Sequence, residues 1–79
     1  MRTDIQEKLN TLFRQVFQDN QIEVRADMTA ADVASWDSLN HMTMIQAVEK
    51  AFGVKFKLKE ITKMQNVGDM ARLIEEKGA

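Results

Sequence analysis

Apolar residues recur at Ile5, Leu9, Leu12, Phe13, Val16 and Phe17, in steps that place them on one face of a helix over residues 3–18. Thr3 is the expected N-cap, with Gln6 three positions on as the reciprocal partner of a capping box. The periodicity then stops. Across residues 19–37, Ile22, Val24, Met28 and Val33 are scattered among Asn, Asp, Thr and Ala, which is the pattern of a long loop with room for one helical turn. Those apolar side chains are expected to pin the loop across a helix bundle.

A second amphipathic pattern opens at Ser38. Advancing about 100° per residue gathers Met44, Ile45, Val48, Ala51 and Phe52 on one core-facing arc, with His41 near its middle in the first turn. Leu39 and Met42 fall outside that arc, among Thr43, Gln46, Glu49 and Lys50. Two large apolar side chains thus start an otherwise polar face. Gly53 is placed to end the helix in a left-handed conformation, and Val54-Lys55-Phe56 reads as an extended connector. A short helix over residues 58–62 follows. The last helix begins at Asn66 as N-cap, with Asp69 at the positive end of the helix dipole and Val67, Met70, Ala71 and Ile74 as its inner stripe.

Three amphipathic helices and a short one, with no strand alternation and no repeat, predict an all-α four-helix bundle with a long loop between helices 1 and 2. The chain of 79 residues fits a single domain over 1–79, too small to combine a scaffold with a buried multi-residue active site. Cysteine is absent, which excludes disulfides, a thiolate nucleophile and a Cys-ligated zinc site. Lys and Arg number 11 against 12 Asp and Glu, so no basic excess is available to neutralise nucleic-acid phosphates. No apolar run reaches the roughly 20 residues of a membrane span, and the expectation is a soluble, cytoplasmic monomer with no metal site.

The stretch Ser35-Trp36-Asp37-Ser38-Leu39-Asn40-His41 carries the candidate chemistry. Asp37 or Ser38 suits a helix N-cap. A catalytic Ser38 would take His41 as its base from the adjacent turn, yet the chain has no second histidine, His41 falls on the core-facing arc, and no glycine-bearing nucleophile elbow surrounds Ser38. Attachment asks less of the chain: a serine in a first helical turn can be modified by a separate enzyme, and a phosphodiester there meets free N–H groups and the positive end of the dipole.

Asp37-Ser38-Leu39 opening the second helix, the series Met42, Met44, Ile45, Val48, the run from Val48 through Ala51-Phe52-Gly53-Val54, the short third helix and the Asn66-Val67-Gly68-Asp69 helix start together resemble the acyl carrier protein family along nearly the whole chain. The resemblance implies a free-standing, non-catalytic carrier with 4′-phosphopantetheine on Ser38, with Asp37 as the acidic neighbour that supports attachment. It also implies transfer of the arm from coenzyme A by a phosphopantetheinyl transferase, then service to acyl-loading and acyl-processing enzymes of a lipid or secondary-metabolite pathway. Leu39, Asn40, Met42, Gln46 and Ile61 are the positions it marks for partner docking.

The chain departs from that pattern in one respect. Asn40, Thr43 and Lys50 stand where carriers of primary fatty-acid synthesis usually have acids, leaving Asp37 and Glu49. Weaker charge steering and Trp36 beside the site point to a specialised carrier with dedicated partners. An aminoacyl or peptidyl carrier, and an unmodified adaptor bundle of the same fold, are the alternatives. Met44 and Met70 read either as core filler or as the lining of a cavity for an acyl chain.

Overall fold

The computed structural model describes residues 2–33 and 36–78. Four helices, α1 (Thr3–Phe17), α2 (Ser38–Phe52), α3 (Leu58–Lys63) and α4 (Val67–Glu76), account for the regular structure together with a 3₁₀ turn over Ala30–Asp32. The bundle is all-α among the described residues. Helices α1 and α2 make the main helix–helix contact, as their complementary apolar faces require.

Ile5, Leu9, Phe13 and Phe17 are the buried face of α1, with Leu12 and Val16 partly covered at its edges. The N-cap differs from expectation. Arg2 takes that position, Thr3 is already helical and no side chain caps the end. Gln6 does not turn back to Thr3, because its Nε2 donates to the Val24 carbonyl oxygen at 3.0 Å. Asn10 Oδ1 accepts the Val24 N–H at 2.7 Å, and Arg14 Nε donates to the Ile22 carbonyl oxygen at 2.7 Å. Gln6, Asn10 and Arg14 lie four residues apart, so they form one polar row that binds the loop backbone against α1. A row that satisfies buried-side backbone groups favours an extended loop over a capping box.

The loop then reaches the other side of the bundle. Ile22, Val24, Met28, Val33 and Trp36 are buried in the common core. The Ala26 carbonyl oxygen accepts the Gly68 N–H at 2.8 Å and the Met28 carbonyl oxygen accepts the Val67 N–H at 2.9 Å, satisfying two N-terminal amides of α4. A Cβ on Gly68 would lie 2.8 Å from the Ala26 oxygen, so the close approach depends on glycine. Asn66 adds the expected cap, its Oδ1 accepting the Asp69 N–H at 2.8 Å.

In α2, Met44, Ile45 and Val48 are buried and Phe52 is half-buried, but Ala51 is exposed. Over the last turn the core is met by Phe52, whose outer ring face also carries the Lys8 ammonium at 5.2 Å, and the small Ala51 is left at the margin. Gly53 ends the helix at φ 67°, left-handed as anticipated. The connector to α3 is held by Glu49, whose Oε2 accepts the Phe56 N–H at 2.8 Å. Glu60 Oε1 accepts the Lys57 N–H and pairs with the Lys77 ammonium at 3.0 Å, and these contacts hold its carboxyl below the usual carboxylate range.

Candidate functional site

Phe13, Phe17 and Trp36 build the floor on which the site rests. The Phe13 and Trp36 rings meet edge to face, with centroids 5.3 Å apart and planes at 88°, and Phe13 and Phe17 pack in the same manner at 5.5 Å. Trp36 therefore fastens the end of the loop to the core immediately before α2. Its backbone N–H donates to the Val33 carbonyl oxygen at 3.0 Å.

Asp37 has extended dihedrals and is the N-cap of α2: its Oδ1 accepts the Asn40 N–H at 2.8 Å, while its carbonyl oxygen accepts the His41 N–H. One cap suffices, so the neighbouring hydroxyl is not needed for that purpose. Ser38 is the first helical residue of α2 and is exposed. The core anchors the chain two residues before it, and Asp37 fixes where the helix begins. Its position is set by packing while its side chain remains accessible.

An open cleft of about 370 Å³ lies beside Ser38, lined by Trp36, Asp37 and His41 on one side and by Ile61, Thr62, Met64 and Gln65 on the other. Apolar Trp36, Ile61 and Met64 alternate there with hydrogen-bonding Thr62 and Gln65. An exposed primary hydroxyl next to such a cleft fits a phosphodiester-linked arm whose amides are separated by methylenes, and the volume lies in the lower range of small-molecule sites.

The anticipated docking residues divide into two groups. Leu39 is 76% and Met42 41% exposed, Gln46 is exposed, and Asn40 is half-buried on the same helix. Ile61 differs from them in exposure: it is buried, and it lines the same cleft as Ser38. The short α3 has a single buried position, and Ile61 fills it. Glu49 is likewise not free on the α2 surface, since its carboxylate holds the Phe56 N–H. His41 is half-buried and accepts a hydrogen bond at Nδ1 from Trp36 Nε1 at 3.0 Å. That bond was not foreseen from sequence, although a lone Trp five residues before a lone His carried the signal.

The family described as phosphopantetheine attachment site matches residues 7–74. The chain also superimposes on the solution NMR structure of a holo acyl carrier protein from Geobacter metallireducens, with a TM-score of 0.88 and 40% sequence identity over 95% of this chain and 86% of that one. The chain belongs to the acyl carrier protein family. No match was found among curated protein sequences. The carrier bears a covalently attached 4′-phosphopantetheine and is not a catalyst, which sets aside both the Ser38/His41 hydrolase and the unmodified adaptor. Carriers of this family are substrates of a phosphopantetheinyl transferase and of acyl-processing enzymes. Among the described residues no helix is long and apolar enough to cross a membrane, and no group of His, Asp or Glu is placed to hold a metal ion.

Proposed function

We propose that Ser38 is the attachment point of the arm, that Asp37 supports attachment, and that the protein is a single cytoplasmic carrier domain, active as a monomer in a specialised lipid or secondary-metabolite pathway. The observation that carries this reading is the exposed Ser38 at the first position of α2 with its capping function already taken by Asp37. A hydroxyl engaged as a cap would lose that bond on modification. Ser38 is spared this cost.

The arm's thiol, which this cysteine-free chain lacks, supplies the thioester on which an acyl group is held. The chain's own residues position and present it. Trp36 and Asp37 fix the start of α2, and the cleft flanked by Ile61, Thr62, Met64 and Gln65 receives the near end of the arm. A flexible tether raises the effective concentration of the acyl group at each docked enzyme.

Partner choice follows from the surface beside Ser38. Asp37 and Glu49, the acids of this segment, both accept backbone N–H bonds within the carrier. Leu39 and Met42 are exposed on the same helix. Docking through Leu39, Asn40, Met42 and Gln46 then depends on apolar contact more than on opposite charge, which favours partners with an apolar pocket over strongly basic ones.

Incubation with coenzyme A, Mg²⁺ and a broad-specificity transferase is expected to add one phosphopantetheine to the intact protein and none to Ser38→Ala. Equal modification of the alanine variant would remove the assignment. Mass analysis of the native thioester tests the cargo: an acyl chain is expected, and an amino acid would replace the pathway reading with that of an aminoacyl carrier.

A further inference from the structure

We propose that His41 is a positioning residue for the phosphodiester of the arm, donating Nε2–H to its anionic oxygen while Trp36 fixes the ring; the inference rests on attachment at Ser38. A neutral imidazole has one donor and one acceptor nitrogen, and an indole N–H can only donate. The 3.0 Å bond from Trp36 Nε1 therefore assigns the acceptor role to His41 Nδ1 and the proton to Nε2. Trp36 is buried against Phe13, so this choice is made by a donor that the core holds in place.

The direction of the remaining N–H follows from the ring and the helix. The two imidazole nitrogens point apart, so with Nδ1 on the buried indole, Nε2–H turns away from it. Side chains on a helix lean toward its N-terminus and cover the turn before their own Cα. For His41 that turn opens with Ser38, three residues earlier, and both residues line the same cleft. The imidazole and indole rings are nearly parallel, at 26° with centroids 6.0 Å apart, and turning the imidazole out of this position would break the Trp36 bond.

Competing side-chain donors in the cleft are few, and the backbone N–H groups of the first turn of α2 act beside His41 rather than in its place. Among the described residues, the titratable ones lining it are Asp37 and His41, and Asp37 offers a carboxylate that already accepts the Asn40 N–H. Thr62 Oγ1 donates to the Lys59 carbonyl oxygen at 3.0 Å. Gln65 lies on the opposite wall, where an amide matches the amides further along the arm. Among the described residues, His41 is thus the side-chain donor lining the cleft one turn from Ser38.

The test uses the full chain with ¹⁵N-labelled histidine, loaded by a transferase from coenzyme A and checked by intact mass. Long-range ¹H–¹⁵N spectra near neutral pH are expected to show the Nε2–H form before and after loading, with slower exchange of that proton in the loaded protein. The ³¹P line of the arm should be displaced from its position in the urea-unfolded carrier. His41→Leu should abolish the displacement, His41→Gln should retain it by placing an amide donor near Nε2, and Trp36→Phe, which keeps the ring and removes the indole donor, should reduce it and admit the Nδ1–H form. An Nδ1–H form in the unaltered protein, or a displacement that survives His41→Leu, overturns the proposal. A chain that accepts no arm, or one whose Ser38→Ala variant accepts it equally, removes the attachment reading and this one together. A loaded Ser38 with an unmoved phosphorus line removes this one alone.

Discussion

Gly68→Ala is a demanding test of how the long loop is held, because two opposing effects act at one residue. In an unobstructed helix the change would be stabilising by roughly 1 kcal/mol through propensity. Here the new Cβ would lie 2.8 Å from the Ala26 carbonyl oxygen and 3.3 Å from the Ala26 Cβ, and the first of these is a backbone atom that cannot rotate aside. The loop must lift from α4. Lifting breaks the Gly68 to Ala26 and Val67 to Met28 bonds, at about 1 kcal/mol each. It also uncovers part of Met28 and Val67, which are 5% and 0% exposed, for about another 1 kcal/mol. The net expectation is destabilisation by about 2 kcal/mol, equivalent to a fall in Tm of roughly 10 °C for a domain of this size. Urea unfolding followed by circular dichroism and by Trp36 fluorescence would measure it, with a lower midpoint and an unchanged slope. A variant as stable as the parent, or more so, would refute the claim that the loop carbonyls hold the start of α4.

Leu39→Ala should leave stability within about 0.5 kcal/mol, as for other exposed positions, yet raise the KM for the carrier at its transferase by about tenfold, the cost of about 1.4 kcal/mol of lost apolar contact; an unchanged KM would exclude Leu39 from docking. Asp37→Ala should destabilise the protein by about 1 kcal/mol through loss of the α2 cap, and Asp37→Asn should restore most of it. Chemical denaturation of the two variants, compared with their rates of arm transfer, separates capping from support of attachment. A rate that falls in both variants alike, with stability restored in one, would show that attachment needs the carboxylate charge.

Much of this fold was legible in the chain because its helices bury faces with the period that the sequence displays. The stripe of Val67, Met70, Ala71 and Ile74 is fully interior, and Gly53 and Asn66 end and begin helices as their chemistry dictates. The deviations arise where a polar group had two possible partners. Gln6 had the choice of a local capping box or the distant Val24 carbonyl, and only the folded loop decides in favour of the latter. Glu49 looked like a surface acid until the connector brought the Phe56 N–H to it. Ala51 was misplaced for a simpler reason: the last turn of a helix has too few residues for periodicity to fix its inner face, and Ile61, which the resemblance marks for docking, is buried in the short α3. Ser38 itself was legible as a choice among cap, nucleophile and anchor. The geometry narrows that choice, since Asp37 takes the cap and Trp36 takes the acceptor nitrogen that a catalytic base would need.

The central claim is that the arm is carried on Ser38, and the chain offers one other serine, Ser35, against which to check it. Fragment-level mass spectrometry of the loaded protein reads the bond directly. The account predicts that every fragment retaining the phosphopantetheine contains Ser38 and that cleavage between the two serines leaves the group on the Ser38 side. Phosphopantetheine on Ser35, or on any residue outside α2, would contradict it.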